Sequence, residues 1–121
     1  MVTMTPESLR RDLFDAIEKH WFLRAIEEID RTNTAYVYRL HTIRAGLFVQ
    51  VFLGVRSHTL SFSLVESDRR IYGVDFYRGQ WHVHPFEDVG KHVRLPAGLG
   101  PTPLAAFLAR VEQLCVEYDL L

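Results

Sequence analysis

A single cysteine, Cys115, stands in this chain of 121 residues, so no internal disulfide framework can hold the fold. It falls in an apolar helical stripe and reads as a small core residue. Lysine is nearly as scarce: Lys19 and Lys91 are the only two, and arginine carries the rest of the positive charge. Arginine suits bidentate contact with phosphate or carboxylate, although the codon usage of a GC-rich genome is the simpler source of the bias. Charge of one sign is also missing. Fourteen Lys and Arg against fifteen Asp and Glu give a net charge of −1, which excludes a nucleic-acid binder working by bulk charge but leaves room for a local basic groove. There is no run of roughly eighteen apolar residues, hence no transmembrane helix. The start, MVTMTPESLRRD, lacks the apolar centre of a signal peptide. The expectation is a cytoplasmic protein with no membrane partner. Internal repeats, low-complexity segments, Gly-x-Ser-x-Gly, a Walker loop and a dinucleotide fingerprint are absent too.

What remains reads as one domain over 1–121, since a chain of this length buries one core. Thr5 can cap a helix, Pro6 fits its first position and Glu7 favours its positive end. Leu9, Leu13, Ile17 and Trp21 recur every four residues, which predicts a helix over 6–21 with one apolar face. The stretch 22–31 fits either a continued helix or an edge strand, and the strand is preferred. From Thr34 the period becomes two. Tyr36, Tyr38 and Leu40 alternate with Val37, Arg39 and His41. Leu47, Val49, Val51 and Leu53 oppose Phe48, Gln50 and Phe52, and Leu60, Phe62 and Leu64 alternate with Ser61 and Ser63. RRIYGVDFY and QWHVH follow as strands, with turns at 44–46, 55–58, 67–69 and 78–79. VRLPAGLGPTP reads as a loop into a second helix over 103–118. There Thr102 caps, and Leu104, Phe107, Leu108, Val111, Leu114, Cys115 and Tyr118 form the buried stripe. The fold class is α+β: an antiparallel sheet of about five to six strands, with the N- and C-terminal helices on one face. The other face is left to explain. Phe48 or Phe52 there is expected to pack against a partner or a second copy.

The stretch QWHVHPFEDVGKHV, residues 80–93, gathers three of the six histidines. Alternate residues of a strand share a face, so His82 and His84 point the same way, roughly 7 Å apart at Cα. His92 can fold back across 85–90, and a turn centred on Arg78-Gly79 places Asp75 beside one of them. Three readings follow. The first is a polar loop without chemistry. The second is a metal site of His-x-His type. His82-x-His84-x3-Asp88 is similar to the first metal motif of cupins, but no histidine follows His92. The third is acid–base chemistry on a phosphodiester, with one imidazole accepting a proton, another donating one, and a cation on the phosphate. The catalytic candidates are His82, His84, His92 and Asp75. The substrate-binding candidates are Arg78, Lys91 and Arg94, with no metal and no cofactor required. His20, His41 and His58 are scattered and read as surface or interface residues.

The segment RRIYGVDFYRGQWHVHPFEDVGKHV, followed by a Pro-rich step and TPLAAFLARVEQL, resembles the TumE-type toxins of toxin–antitoxin pairs. Asp75 matches the family's aspartate, and His82, His84 and His92 fall in its histidine-rich part. Asp75-Phe76-Tyr77-Arg78-Gly79 stands where the family carries Asp-Asn-Ala-Pro-His. The layout is also broadly similar to the RelE-like ribonuclease toxins. The resemblance implies a toxin-like, ribonucleolytic role on RNA, with a cognate antitoxin as partner; the acid–base reading of the histidines makes such a ribonuclease metal-independent. The alternatives are a non-enzymatic interaction or homodimerising domain, and a small His-based metal-binding protein.

Overall fold

The period-two stretch folds as an unbroken meander. The computed structural model describes residues 4–121. Helix α1 spans Pro6–Lys19 and is followed by β1 (Leu23–Arg31), β2 (Ala35–Thr42), β3 (Leu47–Gly54) and β4 (Thr59–Glu66). Then come β5 (Arg69–Tyr77), β6 (Gln80–His84), β7 (Val93–Arg94) and helix α2 (Pro103–Glu117). Each strand pairs antiparallel with the next, in the order β1-β2-β3-β4-β5-β6-β7. The α+β expectation holds, and the stretch 22–31 holds the edge strand β1, Leu23–Arg31, not a continued helix. The seventh strand is the addition. Val93 and Arg94 pair with Val83 and His82, and Leu95 N–H donates to the Trp81 carbonyl at 2.8 Å. Pro96 follows at once, and its missing N–H ends the ladder, so the strand leaves no periodic trace.

Residues paired across a ladder share a face, and whole rows follow from the register. Tyr38, Val51, Phe62, Val74 and Val83 run across five strands. Leu40, Val49, Leu64 and Tyr72 form a second such row. These side chains build the core together with Leu9, Leu13 and Ala16 of α1 and Leu104, Phe107, Leu108, Val111 and Leu114 of α2. Both helices therefore lie on this face. Phe107 stacks on Tyr72 with ring centroids 5.4 Å apart and meets Phe62 at 5.3 Å. Burying one such ring contributes about 1.5–3 kcal/mol.

The caps differ. Thr5 and Ser8 form a reciprocal capping box, each side-chain oxygen accepting from the other's backbone N–H at 3.0 and 2.9 Å. Thr102 occupies the cap position of α2, but its side chain makes no capping bond. Its ψ of 74 is far from the extended value that aims a cap hydroxyl at the first turn. Trp21 does not extend the α1 stripe. The helix stops at Lys19, His20 turns extended, and Phe22 is buried in its place while Trp21 is 60% exposed. Tyr118 likewise lies past the end of α2 and is exposed, stacked on Phe86 at 4.3 Å.

The open face is mostly polar. One row reads Val37, Phe52, Ser61, Asp75, His82, Arg94, and the next Arg39, Gln50, Ser63, Gly73, His84. Phe48, expected to await a partner, is buried within the chain. The Arg39 guanidinium sits 4.5 Å above its ring, and His41 packs beside it at 5.9 Å. Phe52 is half-buried.

Candidate functional site

Two tight turns and one bulge assemble the site. Arg78 and Gly79 both have positive φ, 52 and 75, as a two-residue type I′ hairpin requires. That turn pairs Tyr77 with Gln80 and hence Asp75 with His82. Ser67 and Asp68, at φ 49 and 64, make the turn between β4 and β5 in the same way. Beyond it Val65 pairs with Arg70 but Leu64 with Tyr72, so Ile71 is an extra residue. This bulge brings Ser61, rather than its neighbour, opposite Asp75.

Asp75 is the hub. Its carboxylate accepts from the Ser61 hydroxyl at 2.7 Å and contacts His84 Nε2 at 3.1 Å. Arg70 lies 3.8 Å from the same carboxylate. Gly73, on the strand between them, is what lets Arg70 cross. A Cβ there would stand 3.2 Å from Arg70 Cδ and 3.2 Å from the Phe62 carbonyl.

After His84, Pro85 ends β6. The chain turns through Asp88 N–H to the Pro85 carbonyl and Lys91 N–H to the Asp88 carbonyl, at 3.1 and 2.9 Å. His92 is thereby returned over β6. Its ring stacks on His82 at 4.3 Å and on His84 at 4.8 Å, with interplanar angles of 28° and 24°. The three imidazoles form one column.

Their hydrogen-bonding states differ. His84 Nδ1 is 3.1 Å from the Val89 carbonyl, which only accepts, while Nε2 faces the Asp75 carboxylate. The two contacts engage both ring nitrogens. His82 is the reverse. Its Nδ1 is buried with no hydrogen-bond partner among the described residues. Burial pushes it below the ordinary histidine value of 6.5, helped by His92, Arg94 and His84 and opposed by Asp75. The column therefore joins a ring with both nitrogens engaged, His84, to a ring held below the ordinary histidine value, His82.

Of the cations named from sequence, Arg94 is opposite His82 in register and exposed. Lys91 precedes His92 and is exposed. Arg78 sits at the hairpin tip with its guanidinium 5.1 Å from the Tyr77 ring, away from the column. Sequence reasoning missed Ser61 and Arg70. The alternation of Ser61 with Leu60 and Phe62 put it on the open face, but only the bulge register selects it. Cys115 is buried, and burial together with Glu112 pushes its thiol up to about 11, so it is no nucleophile. Among the described residues no group of three His, Cys, Asp or Glu is arranged to hold a metal ion. Stacked rings carry their nitrogen lone pairs in parallel planes instead of aiming them at one centre. No helix among the described residues is long and apolar enough to cross a membrane. Comparison with protein-family models, with curated proteins and with solved structures gives no match.

Proposed function

We propose that the chain is a toxin-like ribonuclease that cleaves RNA by histidine acid–base chemistry and is held in check by a cognate antitoxin. The observation that carries this reading is the imidazole column on an open polar face, in which exposed His92 stacks on His82, a ring held below the ordinary histidine value. In the proposed step His82 takes the proton of a ribose 2′-hydroxyl as its oxygen attacks phosphorus. The P–O5′ bond breaks, and His92, the exposed ring, serves as the acid that delivers a proton to the leaving oxygen. The products are a 2′,3′-cyclic phosphate and a free 5′-hydroxyl. His84, with both nitrogens engaged, is assigned to positioning through Asp75 and Ser61, and Arg94 to the phosphate. This differs from the simplest pairing of His82 with His84, because His84 cannot serve substrate without giving up a bond.

The test is cleavage of a single-stranded RNA by purified protein in EDTA. Replacing His82 or His92 by Ala is expected to lower the rate by about 10²–10⁴ without changing the circular-dichroism spectrum, and to relieve growth inhibition on expression. Activity that is lost in EDTA and restored by zinc would favour the metal-binding alternative. Absence of cleavage together with harmless expression would favour the interaction domain.

A further inference from the structure

The other face of β6 borders a separate cleft of about 780 Å³, lined by His58, Phe76, Trp81, Pro96, Ala97 and Pro101. It opens where the β3–β4 turn and the β5–β6 hairpin tip meet the loop leading to α2. That volume lies within the range of small-molecule sites, about 300–1,000 Å³.

Its walls are fixed. Phe76 and Trp81 form an aromatic corner, with centroids 5.2 Å apart and planes inclined at 58°. The loop 95–101 is tied to β6 by Leu95 N–H on the Trp81 carbonyl, and Gly98 N–H closes a turn onto the Leu95 carbonyl at 3.0 Å. Gly98 has φ +65, and a Cβ there would stand 2.7 Å from Trp81 Cδ1. Only glycine brings the backbone this close to the indole. Pro96 and Pro101 stiffen the rim on either side. His58 holds a left-handed φ of 54 at the end of its turn. Among the described residues it is the one titratable group of the lining, which contains no carboxylate.

We propose that this cleft binds a flat aromatic molecule carrying an anionic substituent. The ring stacks in the Phe76–Trp81 corner between the prolines, and the anion meets the His58 imidazole. This site is independent of the ribonuclease reading, since it uses none of the imidazole column.

The probe is 2-naphthalenesulfonate, with neutral 2-naphthol for comparison, followed by amide and indole N–H chemical shifts of the intact protein. Saturable shifts confined to 58, 76–81 and 96–101 are expected. Ala97→Phe fills the cleft from an exposed position and should weaken binding by about tenfold or more, the equivalent of about 1.4 kcal/mol. His58→Ala should weaken the sulfonate severalfold more than the naphthol. Shifts that never saturate, or that spread over exposed Phe14 and Trp21, overturn the site. So does unchanged affinity in a folded Ala97→Phe protein. Equal effects of His58→Ala on both probes overturn the anionic part. Should Ala97→Phe not fold, the shift map of the unaltered protein decides.

Discussion

Trp81 and His82 are neighbours in sequence on opposite faces of one short strand, and the two faces follow different rules. On Trp81's side, paired residues are joined by apolar packing into the core shared with the two helices. On His82's side the pairs are mostly polar and the cover over β6 is a loop that carries His92. The helix-covered face supplies stability, because burial scales with apolar area. The open face has little area to bury and keeps its order through Asp75, whose carboxylate joins β4, β5 and β6. One sheet thus holds a rigid scaffold and a polar surface whose groups can change partners.

The largest separation between the faces should come from the core. Phe107 is fully buried between Phe62 and Tyr72, and Phe107→Ala should destabilise the chain by about 3–5 kcal/mol. Against a total of about 5–15 kcal/mol for a domain, that is a large share. Urea unfolding measures it. A loss below about 1 kcal/mol would mean that α2 does not carry the core.

Asp75→Ala tests the open face. It strips the Ser61 hydroxyl and the His84 ring of their acceptor, and a hydrogen bond lost from a half-buried group costs about 1–3 kcal/mol. The expected unfolding curve shifts less than for Phe107→Ala. The imidazole resonances of His84 and His92 should move most. If His84 resonances are indifferent to the substitution, the carboxylate does not organise the column.

The contrast explains what could be read from the residues. Alternation places Tyr38, Val51, Phe62 and Val74 on one face because core packing tolerates no exception there. The Arg78-Gly79 turn fixes Asp75 beside His82, since a two-residue loop leaves the register no freedom. The same logic at Ser67-Asp68 would pair Ser61 with Val74. The bulge at Ile71 corrects that by one residue, and it answers to packing: without it Tyr72, Val74 and Phe76 would turn away from the core. So Ser61 and Arg70 were invisible while Asp75 and the histidines were not. Trp21 misleads for a related reason. It keeps the four-residue spacing of α1, but the helix ends before it, and Phe22 takes the buried place. Phe48 looked like an exposed aromatic because alternation reports a face and not what long side chains from neighbouring strands lay over it.

A smaller effect is expected with pH. His82 is held below 6.5, chiefly by burial, so the folded chain binds fewer protons than the unfolded chain between its lowered value and 6.5. Stability from this ring is fully present above 6.5 and is lost as pH falls through the lowered value. His82→Gln should flatten that part of the stability curve measured by urea unfolding at successive pH values. A wild-type curve that rises as pH falls below 6.5, while the variant's is flat, would reverse the assigned sign.

The smallest effect tests whether the open face needs a second molecule. Phe48 is covered by Arg39, which also donates to Gln50 Oε1 at 3.2 Å. A surface cation over an aromatic ring contributes about 0.5–1 kcal/mol, and the arginine stem shields apolar area besides. Arg39→Ala should cost about that much stability, and it bares the Phe48 ring. If the guanidinium is the ring's natural cover, the wild-type mass by light scattering is that of one chain and the variant begins to self-associate as concentration rises. If a second copy is the natural cover, the wild type already scatters as a dimer and Arg39→Ala changes its dissociation rather than creating association. The packing of Arg39 and His41 on Phe48 favours the first outcome, since a ring already buried at 7% exposure offers a partner little further area to cover.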